Sequence, residues 1–376
     1  MSIYLDNAAT TQLDKEVFDA MTPYLLTHFG NPSSGHHYGR EAKTAVAKSR
    51  AIIAGLLNAH PDEITFTSGG TEADNTAILS AVYANDIKHV ITTRFEHHAV
   101  LNTLRQLQSA GKIGLTYIEN DNHGNLNLDH LTQVLAASPR SLVSVMHANN
   151  EIGNLNDIVQ IGEICEKHNA LFHTDTVQTM GHYQFDLQKL KVHFLAASAH
   201  KFHGPKGVGF LYCRKGIKLT QLIHGGGQEG HRRAGTENIA GIVGLANALW
   251  IAYRQVTEHQ QHIQRLKNHL INKLTNLVPG VAFNGNSAIA DKSLYTVLSV
   301  SLPATNTNVM NYLDDLGIAV SGGSACSTGT PSHVLAALGT GTDRDTIRFS
   351  FSKFNTLPEL DHVIDKLTLV YQPIAA

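Results

Sequence analysis

Cysteine is scarce in this chain of 376 residues, which has three in all: Cys165, Cys213 and Cys326. Three thiols so far apart cannot make a disulfide framework, and none belongs to a C-x-x-C pair of the kind that builds a zinc site. The 23 histidines do not replace them. His36 with His37 and His97 with His98 are adjacent, which turns the two rings of each pair apart in any regular structure. No metal is therefore expected. Charge of one sign is also missing, with 29 basic residues against 31 acidic ones and no block of either. Nothing points to a nucleic-acid face or to an anionic membrane face. No apolar run reaches spanning length, and the opening MSIYLDNAATT lacks the basic, apolar, small-residue order of a leader. Internal repeats and low-complexity linkers are absent. The expectation is a cytoplasmic protein whose partners are small molecules and other proteins.

What is present is alternation. GREAKTAVAKSRAIIAGLLN, Gly39 to Asn58, has helical spacing, and ITFTSGG then reads as a strand entering a glycine turn. Thr71 to Ser80 reads as a helix with Thr71 as its N-cap and an acidic residue in the first turn. Strand, glycine turn and helix together aim unpaired backbone amides at an anion, although a plain strand-to-helix turn has the same pattern. Strand-like and helical stretches then alternate through HVITTRFEHHAV, SLVSVMHANNEIG, IVQIGEICEKHNA and ALFHTDTVQT. That order implies an α/β fold with a mainly parallel sheet covered by helices on both faces. A helical pattern from Ile239 through Trp250 to about Leu274, polar at Thr257 to His262, predicts one long connector. The expected division is a large domain over 15–255 and a smaller α+β domain from 1–14 and 256–376.

In such a sheet ligands bind beyond the carboxyl ends of the strands. Thr71, His97, Asn150, Asp175 and Ser198 with Lys201 each follow a predicted strand, so five polar groups are brought to one edge. In SAHKFHGPKGVGFLY the β-type run Val192 to Ala197 stops at Ser198, which puts Lys201 at the end of a buried strand. Desolvation there lowers the pKa of an ammonium and favours the neutral amine, the form that makes a Schiff base with a carbonyl-bearing cofactor. From this stretch alone an ordinary strand end with a snorkelling lysine reads equally well. Cys165, in an amphipathic helical pattern, and Cys213, at a strand end, read as small buried hydrophobes. Cys326 lies in SGGSACSTGT, a small-residue loop that could expose a thiol.

Ten strings, in order, carry a likeness: YLDNAATT, GNPSS, TSGGTEADN, EHHAV, HANNEIG, HTDTVQT, SAHKFHGPKG, GGGQEGHRRAGTEN, SGGSACSTG with PSHVLAALG, and IRFSFSKF. The sequence resembles the class V aminotransferase group of pyridoxal-phosphate enzymes, and most closely the cysteine desulfurases of the NifS/IscS kind. The resemblance covers nearly the whole chain. It implies the pyridoxal-phosphate fold type I, with a mainly parallel sheet of the seven-stranded type and a smaller α+β domain carrying the Cys326 loop. It also implies pyridoxal 5'-phosphate as cofactor, with Lys201 as the residue that binds it covalently and moves a proton, and Asp175 facing the pyridine nitrogen. By the same likeness His97 stacks on the ring and is a candidate acid/base, whereas His98 points away. Asn150 and Gln178 reach the 3-hydroxyl edge or the substrate, and Gly70, Thr71, Ser198 and His200 hold the phosphate. Thr236 matches a position that reaches the phosphate of a neighbouring subunit, which makes a homodimer part of the expectation. Arg348 matches the arginine that clamps a substrate carboxylate.

Cys326 distinguishes the reaction, because a transaminase needs no thiol there. The expected activity converts L-cysteine to L-alanine and leaves a persulfide on Cys326. That sulfur is passed to an acceptor protein, an iron–sulfur scaffold or a tRNA thiolation enzyme. The alternatives are a related class V lyase or aminotransferase, such as a selenocysteine lyase, and an inactive dimeric sulfur-transfer scaffold. Two departures stand out. The loop after Cys326 reaches Pro331 about two residues sooner than this branch leads one to expect, which shortens the tether of the thiol. Ala199 stands where glycine is frequent.

Overall fold

The structure, a computed structural model, describes residues 2–322, 332–340 and 344–371. In chain order its strands are β1 (Ile3–Tyr4), β2 (Ile64–Thr67), β3 (His89–Thr92), β4 (Gly114–Tyr117), β5 (Leu142–Ser144), β6 (Leu171–Asp175), β7 (Phe194–Ser198), β8 (Gly209–Cys213), β9 (Ala282–Phe283), β10 (Val297–Pro303), β11 (Ile318–Ala319) and β12 (Arg344–Ser350). Seven of them form one sheet in the order β2-β8-β7-β6-β5-β3-β4. Every neighbouring pair is parallel except those of β8, which is antiparallel to β2 and to β7.

The composition of these strands explains the layering. Residues along β2, β6, β7 and β8 are buried throughout, which is why they read as near-continuous apolar runs and not as alternating ones. Successive side chains still go to opposite faces. Phe172, Leu195 and Phe210 enter one core with Ile242, Leu245 and Leu249. Their neighbours Leu171, Phe194 and Leu211 enter the other with Ala73, Ala77 and Leu104. The two faces of the sheet are thus both covered, as the alternation of elements required.

A further core gathers Ile3 and Leu5 with Leu266, Leu270, Leu298, Val300, Phe349 and Leu360. It rests on the antiparallel sheet β12-β10-β9 and on the parallel pair β1 with β11. The single connector expected from the helical pattern is instead two helices, Ile239–Arg254 and Val256–Leu277, bent by 75° at Gln255. The first is apolar all round and fills the large core, while the second has a stripe, Ile263, Leu266, Leu270 and Leu274, that faces the other core. One straight rod could not turn its apolar surface toward both. No single described helix is long and apolar enough to cross a membrane.

Candidate active site

At the end of β2 the chain turns through Ser68 and Gly69 and starts the helix Gly70–Leu79. The space there admits no side chain at Gly70, where a Cβ would come within 2.5 Å of Val177 Cγ2. Thr71 is not the N-cap that its sequence suggested. Gly69 takes that position, with no side-chain cap bond, and Thr71 lies one residue inside the helix. Glu72 reaches back instead, accepting from Ser68 N at 2.8 Å and from Arg233 Nε at 3.0 Å. The first-turn amides are therefore left for an anion rather than consumed by a capping hydroxyl.

Asp175 is the last residue of β6 and is buried, its Oδ1 accepting from Val177 N at 2.8 Å. Burial pushes its carboxyl up to about 6, against the pull of that N–H and of Lys201. β7 ends at Ser198, and one 3-10 turn, Ala199–Lys201, swings the lysine toward the N-terminal segment. Its Nζ donates to the carbonyls of Ala8 and Ala9, the latter at 2.8 Å. Gln178 Nε2 also donates to Ala8 O, at 3.0 Å. His200 Nδ1 lies 3.1 Å from Thr10 Oγ1.

His97 caps the helix His98–Ser109, with Nδ1 accepting from Ala99 N at 3.1 Å, so the neutral ring carries its proton on Nε2. Burial first, then Lys201, His98 and His333, hold its pKa down at about 4, and it is neutral at pH 7. His98 does not line the cavity and packs on His333, ring centroids 4.6 Å apart. Arg348, on β12, is 1 % exposed and donates from Nη2 to Asp6 Oδ1 at 2.7 Å and from Nη1 to Asn150 O at 2.8 Å. Among the described residues its buried Nε has no hydrogen-bond partner.

One cavity of about 210 Å³ is lined by Gly70, Thr71, His97, Asn150, Asp175, Gln178, Ser198, His200, Lys201 and Arg348. A larger cleft of about 600 Å³ lies elsewhere. Arg50 in its lining is paired with Glu229 at 2.6 Å, however, so convergence of chemistry rather than size marks the site. Thr236 is exposed and outside the cavity of its own chain, and Cys326 lies outside the described residues. Cys165 and Cys213 are buried, with both thiols pushed up by burial, Cys213 to about 12. Sequence reading missed Ala8, Ala9 and Asp74 in the lining. Asp74 had a signal, since it stands three residues after Thr71 and so shares its helix face.

A helix start with open amides, a lysine amine, a buried carboxylate and a neutral imidazole thus meet at the carboxyl edge of a seven-stranded sheet, and the architecture is that of an α/β enzyme of the pyridoxal-phosphate fold type I. Residues 3–363 match the aminotransferase class-V family, and the chain belongs to it. It is 40% identical to cysteine desulfurase IscS of Dictyoglomus turgidum, over 99% of this chain and 95% of that protein. A solved NifS-like protein superposes with a TM-score of 0.90 at 37% identity, over 98% of this chain and 99% of its own. The solved structure of SspA in complex with cysteine superposes at 0.81 and 32% identity, over 94% and 100%.

Proposed function

We propose that the protein is a pyridoxal-phosphate-dependent cysteine desulfurase that converts L-cysteine to L-alanine and keeps the sulfur as a persulfide on Cys326. The observation that carries this reading is the convergence of Lys201, Asp175, His97 and the start of the helix Gly70–Leu79 on a cavity that also holds Arg348. Membership of the class-V family, the naming of relatives as cysteine desulfurases and the cysteine-bound SspA support it.

The donor set fits pyridoxal phosphate. Lys201 would bind its aldehyde carbon and Asp175 would hold a proton on its ring nitrogen. The amides of Gly70 and Thr71, with Ser198 and His200, would take its phosphate. When bound, the cofactor supplies an electron sink for charge developing at the substrate Cα.

This chain's residues do the rest. Arg348 would grip the substrate carboxylate, for which its unpartnered Nε is suited. Asn150, whose carbonyl receives Arg348, and Gln178 would orient the ligand. The Lys201 amine would take the Cα proton, and His97, neutral at pH 7, would pack on the ring and exchange protons at Nε2. The Cys326 thiolate would attack the substrate Sγ, forming an S–S bond as the Cβ–Sγ bond breaks. The electron pair of that bond stays on carbon, Cβ takes up a proton, and Lys201 returns a proton to Cα to give L-alanine. Residues 15–255 would then be the cofactor domain, with 1–14 and 256–376 carrying the Cys326 loop. Thr236 would complete a neighbouring subunit's phosphate site in a homodimer. The persulfide would pass in the cytoplasm to an iron–sulfur scaffold or a tRNA thiolation enzyme.

Mass spectrometry after incubation with L-cysteine tests the reading. The expected result is one extra sulfur on the Cys326 peptide, absent in Cys326→Ala, and loss of the yellow cofactor absorption in Lys201→Ala. Release of sulfide from cysteine by Cys326→Ala at the parent rate, without a persulfide, would refute it.

A further inference from the structure

The cavity wall holds a group that the proposed reaction does not use. Asp74, in the second turn of the helix Gly70–Leu79, lines the cavity and is 1 % exposed. Its Oδ1 lies 3.2 Å from His173 Nε2, and among the described residues neither atom has a well-directed hydrogen bond, to the other or to a third group. His173, fully buried, places Nδ1 2.9 Å from Ser144 Oγ. It stands two residues before Asp175 on β6, so the two side chains share a face of the sheet.

Three buried carboxyls meet here: Asp74, Asp175 and Glu96. Glu96 accepts from Met146 N at 3.0 Å and from Thr93 Oγ1 at 2.8 Å, and Asp175 accepts from Val177 N and feels Lys201. Among the described residues no such donor serves Asp74. Burial, then the charges of Asp175 and Glu96, drive its pKa well above the ordinary carboxyl range. His173 cannot offset this as a cation, because burial holds its pKa down at about 3. The other charged or titratable groups of the cavity, His97, His200, Lys201 and Arg348, are engaged with partners of their own. Asp74 is thus the poorest place for a negative charge in the cluster.

We propose that Asp74 is a positioning residue, a carboxylic acid that keeps its proton at neutral pH, engages His173 behind the cavity and leaves Asp175 as the carboxylate that ionises beside a bound ring nitrogen. With Nδ1–H donated to the Ser144 hydroxyl, His173 Nε2 is an acceptor and the acid proton of Asp74 has a partner. A neutral Asp74 also keeps a negative charge off the helix whose start would hold the phosphate. The second part of the inference rests on the proposed cofactor, whereas the protonation of Asp74 does not.

The test has two arms. The first is the infrared spectrum of the full-length protein as purified, labelled with carbon-13 at aspartate carboxyls. A protonated-carboxyl C=O band at neutral pH that disappears in Asp74→Asn is expected, and spectra that match in that region would overturn the proposal. The second is the pH titration of the bound cofactor's absorption. Asp74→Asn, which is neutral and can still donate, keeps the wild-type midpoint, while Asp74→Leu and His173→Phe each move it by about one pH unit or more. A shift of that size in Asp74→Asn would mean an ionised Asp74. No shift in Asp74→Leu and His173→Phe would mean that neither residue positions Asp175. Either result sinks the idea. His173→Gln, smaller in its disturbance, stands in if His173→Phe does not fold. A protein that takes up no pyridoxal phosphate fails the functional reading and leaves the infrared arm intact.

Discussion

Arg348 is a guanidinium almost withdrawn from water, and its position is tolerable because Asp6 neutralises it and the Asn150 carbonyl takes a second N–H. Lysine in its place keeps a positive charge for Asp6 but loses the planar fork. The expectation for Arg348→Lys is a KM for L-cysteine raised roughly 10- to 100-fold, the equivalent of about 1.5–3 kcal/mol of charge-assisted bonding. Steady-state kinetics with a thermal melt as control measure this, and an unchanged KM removes Arg348 from the substrate site. The arginine itself was legible in IRFSFSKF through the family likeness. Its partner was not, because Asp6 and Arg348 are 342 residues apart and nothing local to either string links them. The same holds for Lys201, whose strand-end position shows in its own neighbours but whose contacts with Ala8 and Ala9 cross 193 and 192 residues.

Elements were readable where one run of side chains determines one environment. β6 and β7 are buried on both faces, so their apolar runs sufficed to mark them as strands of a covered sheet. The break at Gln255 shows the opposite case. No glycine or proline marks it, and apolar spacing resumes at Ile263 after the polar stretch Thr257 to His262, so the stretch from Ile239 to Leu274 reads as one helix. What bends it is the position of two separate cores, which is tertiary information. Two predictions belong at this scale. Leu270→Ala, which removes a fully buried side chain from the second helix of the bent pair, should lower unfolding free energy by about 2–5 kcal/mol. Urea denaturation reads this directly, and a loss well under 1 kcal/mol would mean that the helix does not anchor the second core. Gly70→Ala drives a methyl group into Val177, two residues from Asp175, and should weaken cofactor retention on dialysis at least tenfold while the fold survives. Retention equal to the parent's would show that the turn can yield.

For the molecule as a whole, the buried histidines govern behaviour in mild acid. His97, His147, His182, His193, His200 and His203 are held near 4, and His173 near 3, in each case mainly by burial. Unfolded, these imidazoles take up protons near pH 6.5, whereas the folded chain does not take them up until about pH 4. The unfolded state therefore binds more protons between those limits, and stability falls as the pH drops through them. The carboxyls work the other way, because a raised pKa lets the folded state hold protons the unfolded state has given up. Glu96, near 8, and Asp74, raised well above the ordinary carboxyl range, hold protons across the window that the unfolded state has given up, and Asp175, near 6, joins them below that pH. Seven imidazoles against three carboxyls decide the sign. Urea midpoints should decline steadily from about pH 6.5 to about pH 5, and a flat profile would mean that these rings reach water in the folded state.

The two ends of the described chain also meet at the cavity wall. Ser350 N donates to Leu5 O at 2.7 Å and Ala8 N donates to Ser350 Oγ at 2.8 Å, on the same short segment whose carbonyls receive Lys201. During synthesis, residues 5–9 emerge from the ribosome long before the strand that must cradle them exists. A nascent polypeptide therefore has no finished wall on that side until residue 350 has cleared the exit tunnel, and a small molecule that needs this wall cannot be held there any earlier.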